Sequence, residues 1–150
     1  MADQTVFADD LAVGARYPLG TFTTDREEIV AFAKQWDPQS FHVDAAAAEA
    51  GFFGDVIASG IHSLAIAQRL SVLAVLDDWA VIAGRRLRDV EFLAPVRPDD
   101  ILDGTLVIEA VDFDHRHRAL VSYRVELTNQ SAVRVLRLVI EAYVRARPEH

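Results

Sequence analysis

The chain has 150 residues, of which 51% are hydrophobic, and this size and composition are typical of one compact domain with its own core. Its 15 Lys and Arg residues against 23 Asp and Glu residues give a formal net charge of -8, which argues against a general nucleic-acid binder because such a protein needs a basic face. The absence of Cys excludes disulfides, thiolate metal sites and cysteine nucleophiles. We therefore expect a single domain over residues 1–150 with no nucleic-acid partner.

The first elements in the chain are a strand and a helix. The segment "RYPLGTFTT", residues 16–24, is rich in β-branched and aromatic residues and predicts a short strand. Thr24 and Glu27 have the spacing of a capping box, and the apolar period that follows predicts a helix from Asp25 to Trp36. Because Pro38 disfavours helical backbone at the residue before it, residues 37–42 are expected to form an ordered loop.

A second helical region follows this loop. Asp44 is placed to cap a short helix from Ala45 to Ala50, which Gly51 ends. A longer helix is predicted from near Gly60 to near Leu76, with apolar residues around most of its circumference. A helix of this kind is expected to be surrounded by protein.

The second half of the chain predicts four consecutive strands with period-two alternation, as in the apolar face Ala119, Val121, Tyr123, Val125 and Leu127. Their expected ranges are residues 86–96, 101–113, 118–128 and 132–146. The resulting class is α+β, with an antiparallel sheet wrapped around a long central helix, which is the description of the hot-dog fold. Long exposed sheet edges also favour pairing with a second copy, so we expect at least a homodimer.

The cellular location is inferred from two absences in the sequence. No basic and then apolar run at the amino end resembles a signal peptide, and His62, Gln68 and Arg69 interrupt the longest apolar stretches. We therefore expect a cytoplasmic protein without a membrane partner.

The stretch "AKQWDPQSFHVD" holds the strongest candidate site, because Asp37 and His42 bring a carboxylate and an imidazole close together in the sequence. A turn after a helix and a packed histidine would explain the same residues structurally, and spacing alone favours that explanation. Two further segments favour a functional interpretation of this pair. They are "ASGIHS" at the start of the long helix and "EFLAPVRPDD" at the end of a strand.

Together, these three ordered segments resemble the MaoC-like dehydratases and (R)-specific enoyl-CoA hydratases over most of the chain. The family pattern has Asp, any residue, Asn, Pro, any residue and His, and Asp37 and His42 stand at its two catalytic positions. The chain departs from the pattern at Gln39, which replaces the Asn, with the proline moved to Pro38, and at Asp99, which replaces a Gly.

The resemblance implies a hydro-lyase of fatty acid metabolism that adds or removes water across the 2,3 double bond of an acyl thioester. Asp37 and His42 would be the acid-base pair holding the water, since carboxyl and imidazole groups have ordinary pKa values of about 3.9 and 6.5. The backbone N–H of Gly60, at a helix amino terminus, would stabilise the thioester oxygen. Substrate contacts are expected from Gln39, Phe41, Ser59 and His62, with Ser59 also capping the helix.

The same resemblance implies no metal and no cofactor besides the coenzyme A or acyl-carrier thioester, which is the substrate. The coenzyme A phosphates would suit arginines, and four candidates lie on or near the predicted strands, although strand alternation does not require them to converge: Arg85, Arg86, Arg88 and Arg97.

Two other functions remain open. A hot-dog thioesterase is the second candidate, although many of these enzymes carry an Asp or Glu on the central helix and residues 61–76 contain neither. A non-catalytic hot-dog subunit is the third, and the presence of both Asp37 and His42 argues against it.

Overall fold

A computed structural model describes residues 4–149, which form a five-stranded antiparallel sheet with helices packed against one face. The strands are β1 (Arg16–Thr23), β2 (Val81–Phe92), β3 (Ile101–Phe113), β4 (Arg118–Thr128) and β5 (Arg134–Arg145), in the order β1-β3-β4-β5-β2. The helices are α1 (Arg26–Trp36), α2 (Ser40–Val43), α3 (Ala45–Ala50) and α4 (Gly60–Ala74), with short 3-10 turns at Ala8–Asp10 and Leu76–Asp78. This is the α+β hot-dog arrangement that the sequence predicts.

The core lies between α4 and the three central strands. Alternate residues of β3, β4 and β5 point inward and are fully buried, among them Leu102, Leu106, Ile108, Val121, Val125, Leu127, Leu136 and Leu138. From α4, Ile66, Ala67 and Leu70 are buried in the same core. Burying one such large side chain contributes about 1.5–3 kcal/mol, so this packing is the main source of stability.

The start of α1 differs from the prediction. Asp25, and not Thr24, is the cap, because its side chain accepts the N–H of Glu28. The buried Thr24 hydroxyl instead donates to the carbonyl oxygen of Arg97 at 2.6 Å and ties the turn before β3 to the helix. On the predicted apolar face, Ile29 is buried but Trp36 is 64% exposed.

The segment between α1 and α4 contains more helix than predicted. Residues 40–43 form the single turn α2, where a loop is expected from the sequence. The prediction for α3 is confirmed, since Asp44 accepts the N–H groups of Ala46 and Ala47 and Gly51 follows the last helical residue.

Strand β2 is the element that the sequence predicts least well. It begins at Val81 and not at Arg86, and it lies at the edge of the sheet, where its first residues are exposed and show no alternation. Its pairing with β5 is interrupted by a bulge between Arg88 and Glu91, where Asp89 has a φ of 53°. Bulges bend a strand and redirect the side chains that follow.

Helix α4 is not surrounded by protein on every side, contrary to the prediction. Ile61 is 52% exposed and Leu73 is 67% exposed, on a face that this chain leaves uncovered. Asp99 has a φ of 69°, a left-handed conformation that favours glycine and that explains why the family pattern has Gly there. None of the helices within residues 4–149 is both long and apolar enough to cross a bilayer.

Candidate active site

Asp37 and His42 come together because the chain turns sharply after α1. Asp37 is the C-cap of α1, and its N–H donates to the carbonyl oxygen of Ala33. His42 lies in the single turn α2. The Nε2 atom of His42 is 3.4 Å from Oδ2 of Asp37. The predicted pair therefore exists as a spatial pair.

The orientation of the His42 ring is fixed from the side away from Asp37. Its Nδ1 lies 2.6 Å from the carbonyl oxygen of Ile57, and the ring is only 4% exposed. Because a carbonyl oxygen only accepts, Nδ1 carries the proton and donates it. In the neutral ring the lone pair therefore lies on Nε2, facing Asp37.

The carboxylate of Asp37 is held by two donors. Ser59 Oγ donates to Oδ2 at 2.7 Å, and Gln39 Nε2 donates to Oδ1 at 2.8 Å. These hydrogen bonds, from Ser59 first and from Gln39 second, lower the pKa of Asp37 and outweigh the opposing effect of burial. Asp37 is thus ionised near neutral pH and is held in one orientation.

Ser59 connects this pair to the start of α4. It is fully buried, and its Oγ both donates to Asp37 and accepts the N–H of Ile61, so it is the N-cap that the sequence predicts. Gly60 is the first residue of the helix, and the first N–H groups of a helix have no partner within it. A helix amino terminus therefore faces the same space as the carboxylate and the imidazole.

These groups open onto a cavity of about 530 Å³. Its lining residues are Asp37, Gln39, His42, Phe53, Ile57, Ala58, Ser59, Gly60, Ile61, Ser63, Phe92, Leu93, Ala94, Pro95, Val96 and Val135. The structure thus brings together five of the seven predicted site residues. Most of the remaining wall is apolar, which suits a ligand with a hydrocarbon part.

The other two predicted site residues do not line this cavity. Phe41 packs against the back of His42, with ring centroids 4.1 Å apart, and faces a separate depression beside α3. Adjacent residues of a helical turn point in different directions, so closeness in sequence to His42 does not bring Phe41 into the site.

His62 is also a packing residue in this structure. Its ring stacks on Phe32 with centroids 4.4 Å apart, and the residue is only 8% exposed. Burial lowers the pKa of His62, and within residues 4–149 its Nδ1 has no hydrogen-bond partner. The imidazole therefore packs against α1, where burial disfavours its charged form.

One wall of the cavity is formed by residues that are not among the predicted site residues. Residues 92–96, which follow the bulge in β2, and Val135 of β5 form this wall. The segment "EFLAPV" is noticed in the sequence as the end of a strand, but only the fold places it opposite α4. Of the other aromatic residues nearby, Phe53 lines the cavity, whereas Phe52 is 95% exposed and lies outside it.

The candidate phosphate-binding arginines do not converge on the cavity. Arg85, Arg86 and Arg88 all lie within 4 Å of the carboxylate of Glu141 on β5. Arg97 lies apart from these three, next to the lining residue Val96, and its guanidinium donates to the carbonyl oxygen of Phe53. Within residues 4–149, no three His, Asp or Glu side chains form a group that would hold a metal ion.

Comparison with known proteins agrees with this fold. A family model described as MaoC like domain matches residues 12–131. The crystal structure of a MaoC-like dehydratase from Rhodospirillum rubrum is 34% identical, covers 96% of this chain and 99% of its own, and superposes with a TM-score of 0.88. An uncharacterized protein of Bacillus subtilis, YdeM, is 33% identical over 129 residues, which are 85% of this chain and 90% of its own.

More distant structures share the fold alone. The unliganded R-hydratase PhaJ1 from Pseudomonas aeruginosa is 24% identical, covers 97% of this chain and 88% of its own, and has a TM-score of 0.75. The fold defines the class, a hot-dog protein similar to a MaoC-like dehydratase. Within that class, the chain belongs to the MaoC-like domain family.

Proposed function

We propose that the chain is a hydratase or dehydratase that adds or removes water across the 2,3 double bond of an acyl thioester, as in an enoyl-CoA or 3-hydroxyacyl-CoA. The observation that carries the proposal is the 3.4 Å approach of His42 Nε2 to Asp37 Oδ2 in a cavity that also receives the start of α4. A carboxylate and an imidazole lone pair are both acceptors, so one water molecule in the cavity beside both atoms would donate a hydrogen bond to each.

The chemistry requires that one proton leave the water and one reach the substrate. One group of the pair takes a proton as the water oxygen bonds to C3, and C2 receives a proton from the pair, so that the sum is the addition of H and OH. Dehydration is the reverse of the same steps. The pKa of Asp37, lowered by Ser59 and Gln39, keeps the carboxylate in the acceptor form that this scheme needs.

The thioester oxygen gains negative charge while C2 lacks its proton. The Gly60 N–H is the group proposed to stabilise it, because it lies at the start of α4, where the helix dipole adds to the hydrogen bond. No metal and no cofactor are needed by this scheme. Gln39 and Ser59 serve the reaction by holding Asp37, and Gln39 also lines the cavity where the substrate would lie.

The substrate is proposed to be a thioester of coenzyme A or of an acyl-carrier protein. The acyl part would occupy the apolar portion of the cavity, and a volume of about 530 Å³ falls within the usual range for small-molecule sites. A place in cytoplasmic fatty acid metabolism belongs to the same proposal.

A homodimer is also proposed, and its support is the uncovered edge of the sheet. Three large apolar residues of β2 before the bulge, Val81, Ile82 and Leu87, are 41–55% exposed, and Ile61 of α4 is 52% exposed. An open edge strand with apolar side chains is a ready partner for a second copy. Light scattering coupled to size-exclusion chromatography should give twice the chain mass of 16.6 kDa. The variant Leu87→Glu should have a lower measured mass, whereas Phe113→Glu should keep the native value.

The activity is tested by adding crotonyl-CoA and longer trans-2-enoyl-CoAs and following the enoyl absorbance together with free thiol. Loss of absorbance without thiol release is the expected result. Release of thiol would replace the proposal with a thioesterase. No change in either signal, with all chain lengths tested, would contradict the proposal and favour a non-catalytic subunit.

A further inference from the structure

The Phe92 ring, which is not among the predicted site residues, lies next to Gly60 at the start of α4. An ideal Cβ on Gly60 would lie 2.7 Å from the Cε1 and Cζ atoms of the Phe92 ring, so the ring edge rests on the Gly60 backbone. A side chain at position 60 would therefore meet this ring unless the ring rotated away. Both residues line the cavity.

The position of the Phe92 backbone is fixed by β5. Phe92 pairs with Leu136, and the next residue, Leu93, donates its N–H to the carbonyl oxygen of Val135 at 2.9 Å. The bulge at Asp89 stands just before this segment and sets the direction of its side chains. Because the pairing with β5 holds the backbone at Phe92 and Leu93, the ring moves mainly by rotation of its own side chain.

The ring lies beside the place that the reacting atoms would occupy. If the Gly60 N–H binds the thioester oxygen, that oxygen lies about 3 Å from the nitrogen, and C1 and C2 of the acyl group follow within two bonds. The ring edge is then a neighbour of C2. Atoms further along the acyl chain extend away from Gly60, toward other parts of the apolar wall.

We propose that Phe92 is a specificity-determining residue that excludes acyl groups branched at C2, with little effect on chain length. This inference rests on the proposed function for the placement of the thioester. A methyl group on C2 would meet the ring, and one methyl-sized difference in a hydrophobic pocket changes selectivity by roughly 10–200-fold. A longer straight chain would not meet it.

The test measures binding with thioesters that do not react, so that it does not depend on catalysis. Calorimetry would give Kd for butanoyl-CoA, 2-methylbutanoyl-CoA and hexanoyl-CoA with the native dimer and with Phe92→Leu and Phe92→Ala. The 2-methyl to straight-chain ratio of affinities should rise at least about tenfold in Phe92→Ala and less in Phe92→Leu. The hexanoyl to butanoyl ratio should change by less than about threefold.

Phe113→Ala is the matched control, because Phe113 has similar exposure, 54% against 56% for Phe92, and lies at the far end of β3 outside the cavity. It should change neither ratio. Light scattering on each variant shows whether the oligomer is retained. An unchanged 2-methyl ratio in Phe92→Ala, or an equal change for the longer chain, would overturn the inference.

Hydration of crotonyl-CoA and of its 2-methyl analogue, run in parallel, separates the two proposals. If the ratios of affinity change as expected but no enoyl thioester is hydrated, the proposed activity fails and the selectivity of Phe92 stands. If hydration occurs but the ratios do not change, the activity stands and the role of Phe92 fails. If none of the thioesters binds, both are wrong.

Discussion

The central strands and the segment from Asp37 to Gly60 are held in place by different kinds of interaction. In β3, β4 and β5 the stabilising contacts are many and alike, because each inward residue is one of a series of buried apolar side chains. In the site segment they are few and specific: Ser59 and Gln39 hold Asp37, and the carbonyl oxygen of Ile57 holds His42. Most of the stability therefore depends on residues other than those of the proposed chemistry, and substitutions should separate the two.

The largest effect on stability is expected in the core. Leu106→Ala removes a fully buried side chain from β3 and should lower the free energy of unfolding by about 2–5 kcal/mol. Turnover of the folded fraction should stay within about twofold of the native value. Urea unfolding at one fixed protein concentration measures the free energy of unfolding. Crotonyl-CoA hydration at urea concentrations below the unfolding transition measures the turnover. Ile101→Ala, at a half-exposed position of the same strand, is the control and should change stability by only about 0.5 kcal/mol.

The opposite pattern is expected at the pair. Asp37→Asn and His42→Ala should each lower turnover by about a hundredfold or more, which is the scale for removing a general acid or base, while the protein stays folded. Circular dichroism and hydration kinetics on the same samples test this. Asp44→Asn keeps the helix cap nearby and should leave turnover unchanged. Unfolding together with loss of activity would instead mean that Asp37 and His42 are turn and packing residues.

Ser59 lies in the site segment but is fully buried and also caps α4, so its substitution should have an intermediate effect on both activity and stability. Ser59→Ala removes a donor to Asp37, so we expect turnover to fall about tenfold, equivalent to roughly 1.4 kcal/mol, and the lost cap to cost about 1 kcal/mol of stability. The pKa of Asp37 should rise toward its usual 3.8, because the donor that lowers it most is gone.

The pH profile distinguishes this role from a purely structural one. If the ionised carboxylate is required, the acid side of the kcat/KM profile should move to higher pH in Ser59→Ala. Ser71→Ala, which removes another fully buried hydroxyl from α4 at a position outside the cavity, should not move the profile. A lower rate with an unshifted profile would limit Ser59 to the helix cap.

The smallest effect is expected at His62, which belongs to neither region. Burial holds its pKa below 6.5, so the unfolded chain binds more protons than the folded one as pH falls below that value. The free energy of unfolding should therefore decrease as the pH falls below about 6.5, and the contribution of His62 to it should be fully present above that pH.

The variant His62→Leu removes this titration, and its melting temperature should fall less than that of the native protein between pH 7.5 and 5.5. His115→Asn changes an exposed histidine on the turn before β4 and serves as the control, with a native-like dependence. An identical decline in His62→Leu and the native protein would mean that other groups cause the acid sensitivity.

The sequence predicts the strands best where their environment is most uniform. The bounds of β3 and β4 agree with the prediction, because alternating buried residues such as Val121 and Val125 give a clear period of two. The start of β2 was missed, because an exposed edge strand such as residues 81–85 has no buried face to produce alternation.

The site was predictable to the extent that it is local. Asp37 and His42 are close in sequence, and the family pattern names them, so the pair was found. Contacts across long sequence separations were not predictable, such as the hydrogen bond between Ser59 and Asp37 or the wall formed by Phe92. Phe41 and His62 do not line the cavity, because sequence neighbourhood does not give the direction in which a side chain points.

The bulge in β2 divides one strand into two parts with different surroundings. Residues before Asp89 lie along the open edge of the sheet, and residues after it form the wall of the cavity. Changes at the bulge or beyond it would alter the pocket while the earlier residues keep their register with β5. Substitutions near residues 89–93 should therefore change the shape of the cavity without changing the exposed edge that precedes them.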